Sequence, residues 1–173
     1  MKMYILLLLC GLMIIPTEQS AQTKEINKFY KKYKLKNNSH NVTIPGWLIG
    51  VGADIARLSV DTREEKESLK LLKKVNKMKI LVFENDNPVK DKHIDKLFTG
   101  LKHDQFEDLV FVRDEETRVN IMIREDSDRI KNLFILVREP EEFAMVSMKT
   151  NMTIDQINEV INLMEEELDT DLN

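Results

Sequence analysis

Three histidines, His40, His93 and His103, are the side chains of this sequence best suited to proton transfer or metal binding near neutral pH. His93 and His103 stand ten positions apart. On one helix that separates them by roughly 80° around the axis and about 15 Å along it. Helical metal ligands need a spacing of three or four residues, so the two do not chelate, and His40 falls in a loop; all three read as surface histidines. The carboxylates gather in Asp114-Glu115-Glu116, in Glu125-Asp126 with Asp128, and in Glu139 with Glu141-Glu142. A calcium loop needs oxygen ligands at set spacing around a sharp, usually glycine-containing turn. These clusters lack both, and they read as solvated hairpin turns. Ser39, Ser59, Ser68, Ser127 and Ser147 sit in no nucleophile elbow with a histidine and an acid in context. In GWLIGVGADIARL the position for the third glycine of a phosphate-cradling loop holds Ile55. The sequence therefore predicts no catalytic residue, no metal site and no cofactor, and a protein that is not an enzyme.

The thiol inventory points the same way. Cys10 is the one cysteine, inside the apolar run Met3 to Ile15. That run follows Lys2, ends at Pro16 and leads through a polar segment to the small residues Ser20 and Ala21, the three parts of a secretory signal. It is too short to span a bilayer, which takes about 20 apolar residues. Residues 1–21 are thus expected to be a signal peptide cleaved after Ala21. Residues 22–173 are expected to be a single α+β domain of the periplasm or cell envelope, with no transmembrane segment. Leu7-Leu8-Leu9 precedes Cys10 where a lipoprotein signal has a small residue, so lipidation is not expected. Without Cys10 the mature chain has no disulfide, thiol nucleophile or cysteine-bound metal.

Charge is mild overall, at −4, but uneven. Lys24 to Lys36 carries six lysines, and Asp155 to Asn173 carries seven carboxylates and no Lys or Arg. Both stretches read as solvated helix faces. Phe29, Tyr30 and Tyr33 alternate with lysines, yet they fall with Ile26 on one helical stripe. They are therefore assigned to a core, and nucleic acid is excluded as a partner.

The elements that must position any site follow from periodicity. A helix begins at Lys24, and a short extended piece spans Asn41 to Ile44. Leu48, Val51, Ile55 and Leu58 recur at helical spacing and are expected to pack on a core. A further helix covers Glu64 to Val75, and MKILVFE from Met78 to Glu84 is a strand apolar on both faces. Asn87-Pro88 reads as a cap and first-turn proline for a helix carrying Ile94, Leu97, Phe98 and Leu101. Then come strands Leu109–Val112, Val119–Arg124, Leu133–Val137 and Phe143–Met148, joined by the turns DEET, DSD and EPEE. Leu133–Val137 is apolar throughout and is placed centrally. Thr153 and Gln156 form a capping box for a last helix with the stripe Ile154, Ile157, Val160, Ile161, Met164 and Leu168. The predicted fold is a two-layer α+β sandwich. It has a largely antiparallel sheet, a four-stranded C-terminal meander and helices packed on one face.

The succession MKILVFEND, then LVFVRDEETRVNIMIREDSDRIKNLFILVREPEEFAMVSMKTNMTIDQINEVI, resembles a secreted family of Bacteroidota catalogued as domain of unknown function 4252. The resemblance runs from about Lys24 to Met164. Its most specific parts are the meander, the E-P-E-E-F turn and the I-D-Q-I helix start; Thr150-Asn151 stands where such proteins often show Gly-Asn. It implies a Gram-negative envelope protein and brings no catalytic residues with it. The expected function is a non-enzymatic module binding another envelope protein or a surface component. Its expected surface is the sheet face opposite the helices, with Asn120, Met122 and Arg124 on it. The alternative is a periplasmic carrier or sensor of a small apolar ligand held between sheet and helices.

Overall fold

Ile26, Phe29, Tyr30 and Tyr33 share one side of helix α1 (Lys24–Tyr33) and all four are buried, while Lys24, Lys28, Lys31 and Lys32 are exposed. The computed structural model describes residues 24–114 and 116–159. The expected signal peptide, with Cys10, lies outside them, as do Val160, Ile161, Met164 and Leu168 of the last predicted helix. After α1 come β1 (Ser39–Pro45), α2 (Gly46–Ala56), α3 (Arg63–Leu72), β2 (Lys77–Phe83) and α4 (Asp91–His103). Strands β3 (Glu107–Asp114), β4 (Thr117–Asp126), β5 (Arg129–Arg138) and β6 (Phe143–Met152) follow, and the chain is helical again from 154 to 159.

The six strands form one sheet in the order β1-β2-β6-β5-β4-β3, and every neighbouring pair is antiparallel. The last four strands are the predicted meander. Ser127 and Asp128 turn β4 into β5 with φ of 54° and 58°, the paired positive values of a two-residue hairpin turn whose twist matches its strands. Pro140 lies in the next turn, which the Glu139 N–H closes by donating to the Glu142 carbonyl at 3.0 Å. β5 lies in the interior of the sheet, as its unbroken apolar run requires. The capping box also forms: Thr153 N–H donates to Gln156 Oε1 at 3.1 Å, and Gln156 N–H donates to Thr153 Oγ1 at 3.4 Å.

Alternation along the strands separates two cores. On one face Leu81, Phe83, Met122, Phe134, Leu136, Phe143 and Met145 pack against α1 and α4. Ring pairs such as Phe29–Phe143 at 5.8 Å and Phe98–Phe134 at 6.3 Å make this the aromatic face. On the other, Leu133, Met148 and Met152 meet Leu71 and Val75 from the α3 end and Ile157 of the last helical turn. Helices therefore lie on both faces. The expectation of helices on one face is corrected, because β2, β5 and β6 are apolar on both sides and each side requires cover.

Two local expectations also change. Asn87 does not cap a helix: its Oδ1 accepts from Val89 N–H at 3.0 Å and its amide donates to the Glu142 carbonyl, holding an extended approach, and α4 starts at Asp91. In α2 and the turn after it, Leu48, Val51, Ile55 and Leu58 face outward, and the buried side is Ala53 with half-buried Ile49 and Ala56. A Cβ on Gly46 would lie 2.7 Å from the backbone oxygens of Val75 and Asn76. That close approach brings the start of α2 against the chain that follows α3, with Ala53 and Ile49 turned inward.

Candidate binding surfaces

Asn120, Met122 and Arg124 alternate along β4 as the sequence indicates, but they point to the covered side. Met122 is 0% exposed and Arg124 7% exposed, and Asn120 is buried with them. Met122 stands opposite Phe134, inside the core under α1 and α4. The polar pair is satisfied locally: Arg118 Nε donates to Asn120 Oδ1 at 3.1 Å, and Arg124 Nε donates to Asn132 Oδ1 at 3.2 Å. Burial pushes the Arg124 guanidinium below its usual value, and the carboxylates of Asp126 and Asp104 oppose that shift. These residues position the core and offer no surface. The period was read correctly and the face was inverted, because the aromatic side chains that select the covered side come from α1, α4, β5 and β6.

The other side of β4 carries Val119, Ile121 and Ile123, all half-buried. Directly opposed residues in an antiparallel pair face the same way, and the register carries Ile121 across the whole sheet. The row is Val42, Ile80, Val146, Ile135, Ile121 and Val110, one residue from each strand and every one Val or Ile. The adjacent row holds Val82, Ala144, Val137, Val119 and Val112 beyond His40. Neither row contains a fully buried residue, and Val42, Val110 and Val112 are exposed at its edges. Val146, Ile135, Ile121 and Ile123 pack against the border of the second core, so this aliphatic face is an ordered apolar surface that the fold covers only in part. The signal for it in the sequence was the clustering of Val and Ile at alternate positions in five strands.

A second apolar surface is the outward side of α2, where Trp47 is 71% exposed and Leu48, Val51 and Ile55 join it, with Leu58 at 87% in the following turn. Among the described residues, the histidine with the most side-chain partners is His93. His93 sits between α1 and α4: Lys32 Nζ donates to its Nε2 at 2.8 Å, and Nδ1 bonds to the Tyr33 hydroxyl. Desolvation holds the imidazole below its ordinary pKa, aided by Lys32, Lys92, Lys90 and Lys96, and burial raises that of the Tyr33 hydroxyl. The arrangement ties two helices together with a neutral ring. His103 and His40 are exposed.

At one end of the strands a cleft of about 480 Å³ collects Asp91, Asp95, Arg113, Asp114, Arg138 and Glu139. Its charges are mixed, and Arg138 pairs with Asp91. At the opposite end a groove of about 710 Å³ is lined by Lys73, Lys74, Arg129, Lys131 and Lys149 with neutral Asn76, Thr150 and Asn151. Among the described residues, no three His, Cys, Asp or Glu side chains are grouped to hold a metal ion, and no helix is long and apolar enough to cross a membrane.

The structure thus belongs to the class of α+β domains built on an open antiparallel sheet. The family described as domain of unknown function (DUF4252) matches residues 30–160 of the 173. The chain belongs to that family. No curated protein matches it.

Proposed function

We propose that the chain is a non-enzymatic binding module of a Gram-negative cell envelope, exported by residues 1–21, that receives a protein partner on its aliphatic sheet face. The observation that carries this reading is the row Val42–Ile80–Val146–Ile135–Ile121–Val110, which crosses all six strands half-exposed. Contiguous apolar surface of this kind is rare on a monomer and marks interaction sites. A flat plane of β-branched side chains loses little rotamer entropy when covered, and suits the apolar stripe of a partner helix or sheet. Secretory features at the N-terminus support the location, and the absence of an activated nucleophile or acid pair among the described residues supports a binding role.

The test is retention of an envelope partner by the chain from Gln22 onward, compared with Ile121→Glu and Ile135→Glu variants. Loss of the partner with both, and retention by a surface control such as Lys131→Ala, supports the face. Equal retention by all variants refutes it. A small molecule in native mass spectrometry of the wild type, displaced in the two Glu variants, moves the reading to the carrier of an apolar ligand.

A further inference from the structure

We propose that the outward side of α2 and the cationic end of the sheet beside it form one docking surface for an anionic lipid membrane. Trp47, Leu48, Val51 and Ile55 project within about 100° of one another around the helix, and all are exposed. They stand opposite buried Ala53 and inward-packed Ile49, so the helix is anchored by that side and presents the other.

Backbone bonds fix where this helix begins. Gly46 N–H donates to the Asn76 carbonyl at 2.9 Å, and Asn76 N–H donates to the Lys149 carbonyl at 2.7 Å. Asn76 and Lys149 both line the groove of Lys73, Lys74, Arg129 and Lys131. Trp47, one residue on from Gly46, therefore stands at the end of the molecule that carries those cations. The groove lining contains no carboxylate. Lys73 pairs with Asp54, whereas Lys74 and Lys131 donate to the neutral amides of Gln156 and Asn151.

An aliphatic helix face headed by tryptophan, with lysine and arginine in the groove at that end and the bordering Asp54 paired with Lys73 and Arg57, matches the layered chemistry of a bilayer surface. The aliphatic side chains enter the acyl boundary, the indole lies at headgroup depth, and the cations meet phosphate. The chain as a whole is at −4, so the attraction belongs to this end and not to net charge. A protein partner would have to match the helix in shape as well as in charge; a lipid surface has only to supply the two chemistries in this order. The inference is independent of the aliphatic-face reading, and its test leaves Ile121 and Ile135 untouched.

Trp47 is the one tryptophan in the chain and reports directly. The chain from Gln22 onward holds every residue of both cores and excludes the apolar run Met3–Ile15. It is titrated with vesicles of phosphatidylethanolamine and phosphatidylglycerol, and with vesicles of phosphatidylcholine alone. The expected result is a blue shift of Trp47 emission and co-flotation with the anionic vesicles, both weakened by salt. Val51→Asp with Ile55→Asp abolishes both. Arg129→Glu with Lys149→Glu lowers the affinity by roughly thirtyfold or more. All four positions are exposed, so the variants melt with the parent. Unshifted emission with anionic vesicles overturns the proposal, as does equal binding by the Arg129/Lys149 variant. A blue shift that grows with protein concentration in the absence of lipid also overturns it, and assigns the α2 surface to a second copy of the chain.

Discussion

Two neighbouring residues of β4 test the two-faced organisation of the sheet quantitatively. Met122 is fully enclosed by the aromatic core, while Ile121, one residue away, looks onto the half-exposed aliphatic face. Met122→Ala deletes the thioether from a closed site and leaves a cavity, which costs about 3 kcal/mol. Ile121→Ala deletes a similar volume from an open face, where no cavity remains. With roughly 0.8 kcal/mol per fully buried methylene and half burial, its cost is about 1 kcal/mol. The expected difference is thus about 2 kcal/mol. Urea unfolding followed by circular dichroism reads it as a difference in midpoint at a common slope. In thermal melts, Met122→Ala lowers Tm by roughly 6–12 °C and Ile121→Ala by roughly 2–4 °C. Met122→Glu, which the sequence reading would tolerate as a surface change, places a carboxylate in that core without a partner and prevents stable folding. Equal costs for the two alanine variants, or a larger cost at Ile121, would refute the assignment of faces.

Gly46→Ala and Gly50→Ala are expected to act with opposite signs. The first sets a Cβ 2.7 Å from the Val75 and Asn76 oxygens, forces α2 off the sheet and costs about 2 kcal/mol. The second meets nothing within 4 Å and stabilises a helix interior by about 0.5–1 kcal/mol; thermal melts of both variants check the contrast, and a shared sign contradicts it. The third prediction concerns pH. Desolvation and then the lysines around it hold His93 below its ordinary value in the folded chain, so on acidification the unfolded chain takes up the proton first. The stability contributed by the neutral ring is complete above the unfolded value of about 6.5 and is lost as pH falls below it. His93→Gln should flatten the dependence of Tm on pH over that acidic range; an unchanged profile would detach His93 from acid sensitivity.

Local periodicity made α1, the meander and the central place of β5 legible, because each rests on spacing that neighbouring residues determine. The choice of face did not. Along β4, Val119, Ile121 and Ile123 compete with Met122, and the decision is made by Phe29, Phe98, Phe134 and Phe143, which arrive from distant segments. The same limit inverted α2. Trp47, Leu48, Val51 and Ile55 form the stronger apolar stripe, but the backbone of Val75 and Asn76 passes close to Gly46 and the helix turns Ala53 and Ile49 inward instead. Asn87 was misread because an Asx turn uses the same side-chain chemistry as a helix cap. The aliphatic row was hidden for a different reason: its alignment depends on the pairing of β2 with β6, and no local pattern encodes that register.

That pairing also sets an order of events in folding. β3 to β6 meet through short turns, so their contacts close early at little entropic cost. β2 must find β6 across the intervening α4 and the entire meander, with Phe83 opposite Phe143. Until it does, β6 is an open edge with unpaired N–H and C=O groups beside Val146 and Met148, and such edges recruit other chains. The late arrival of β2, bringing β1 with it, is therefore the step at which productive folding competes with aggregation. In pulse-labelled hydrogen exchange the Ile121 and Ile135 amides should gain protection before that of Ile80. Early protection of Ile80 would place β2 in the nucleus instead.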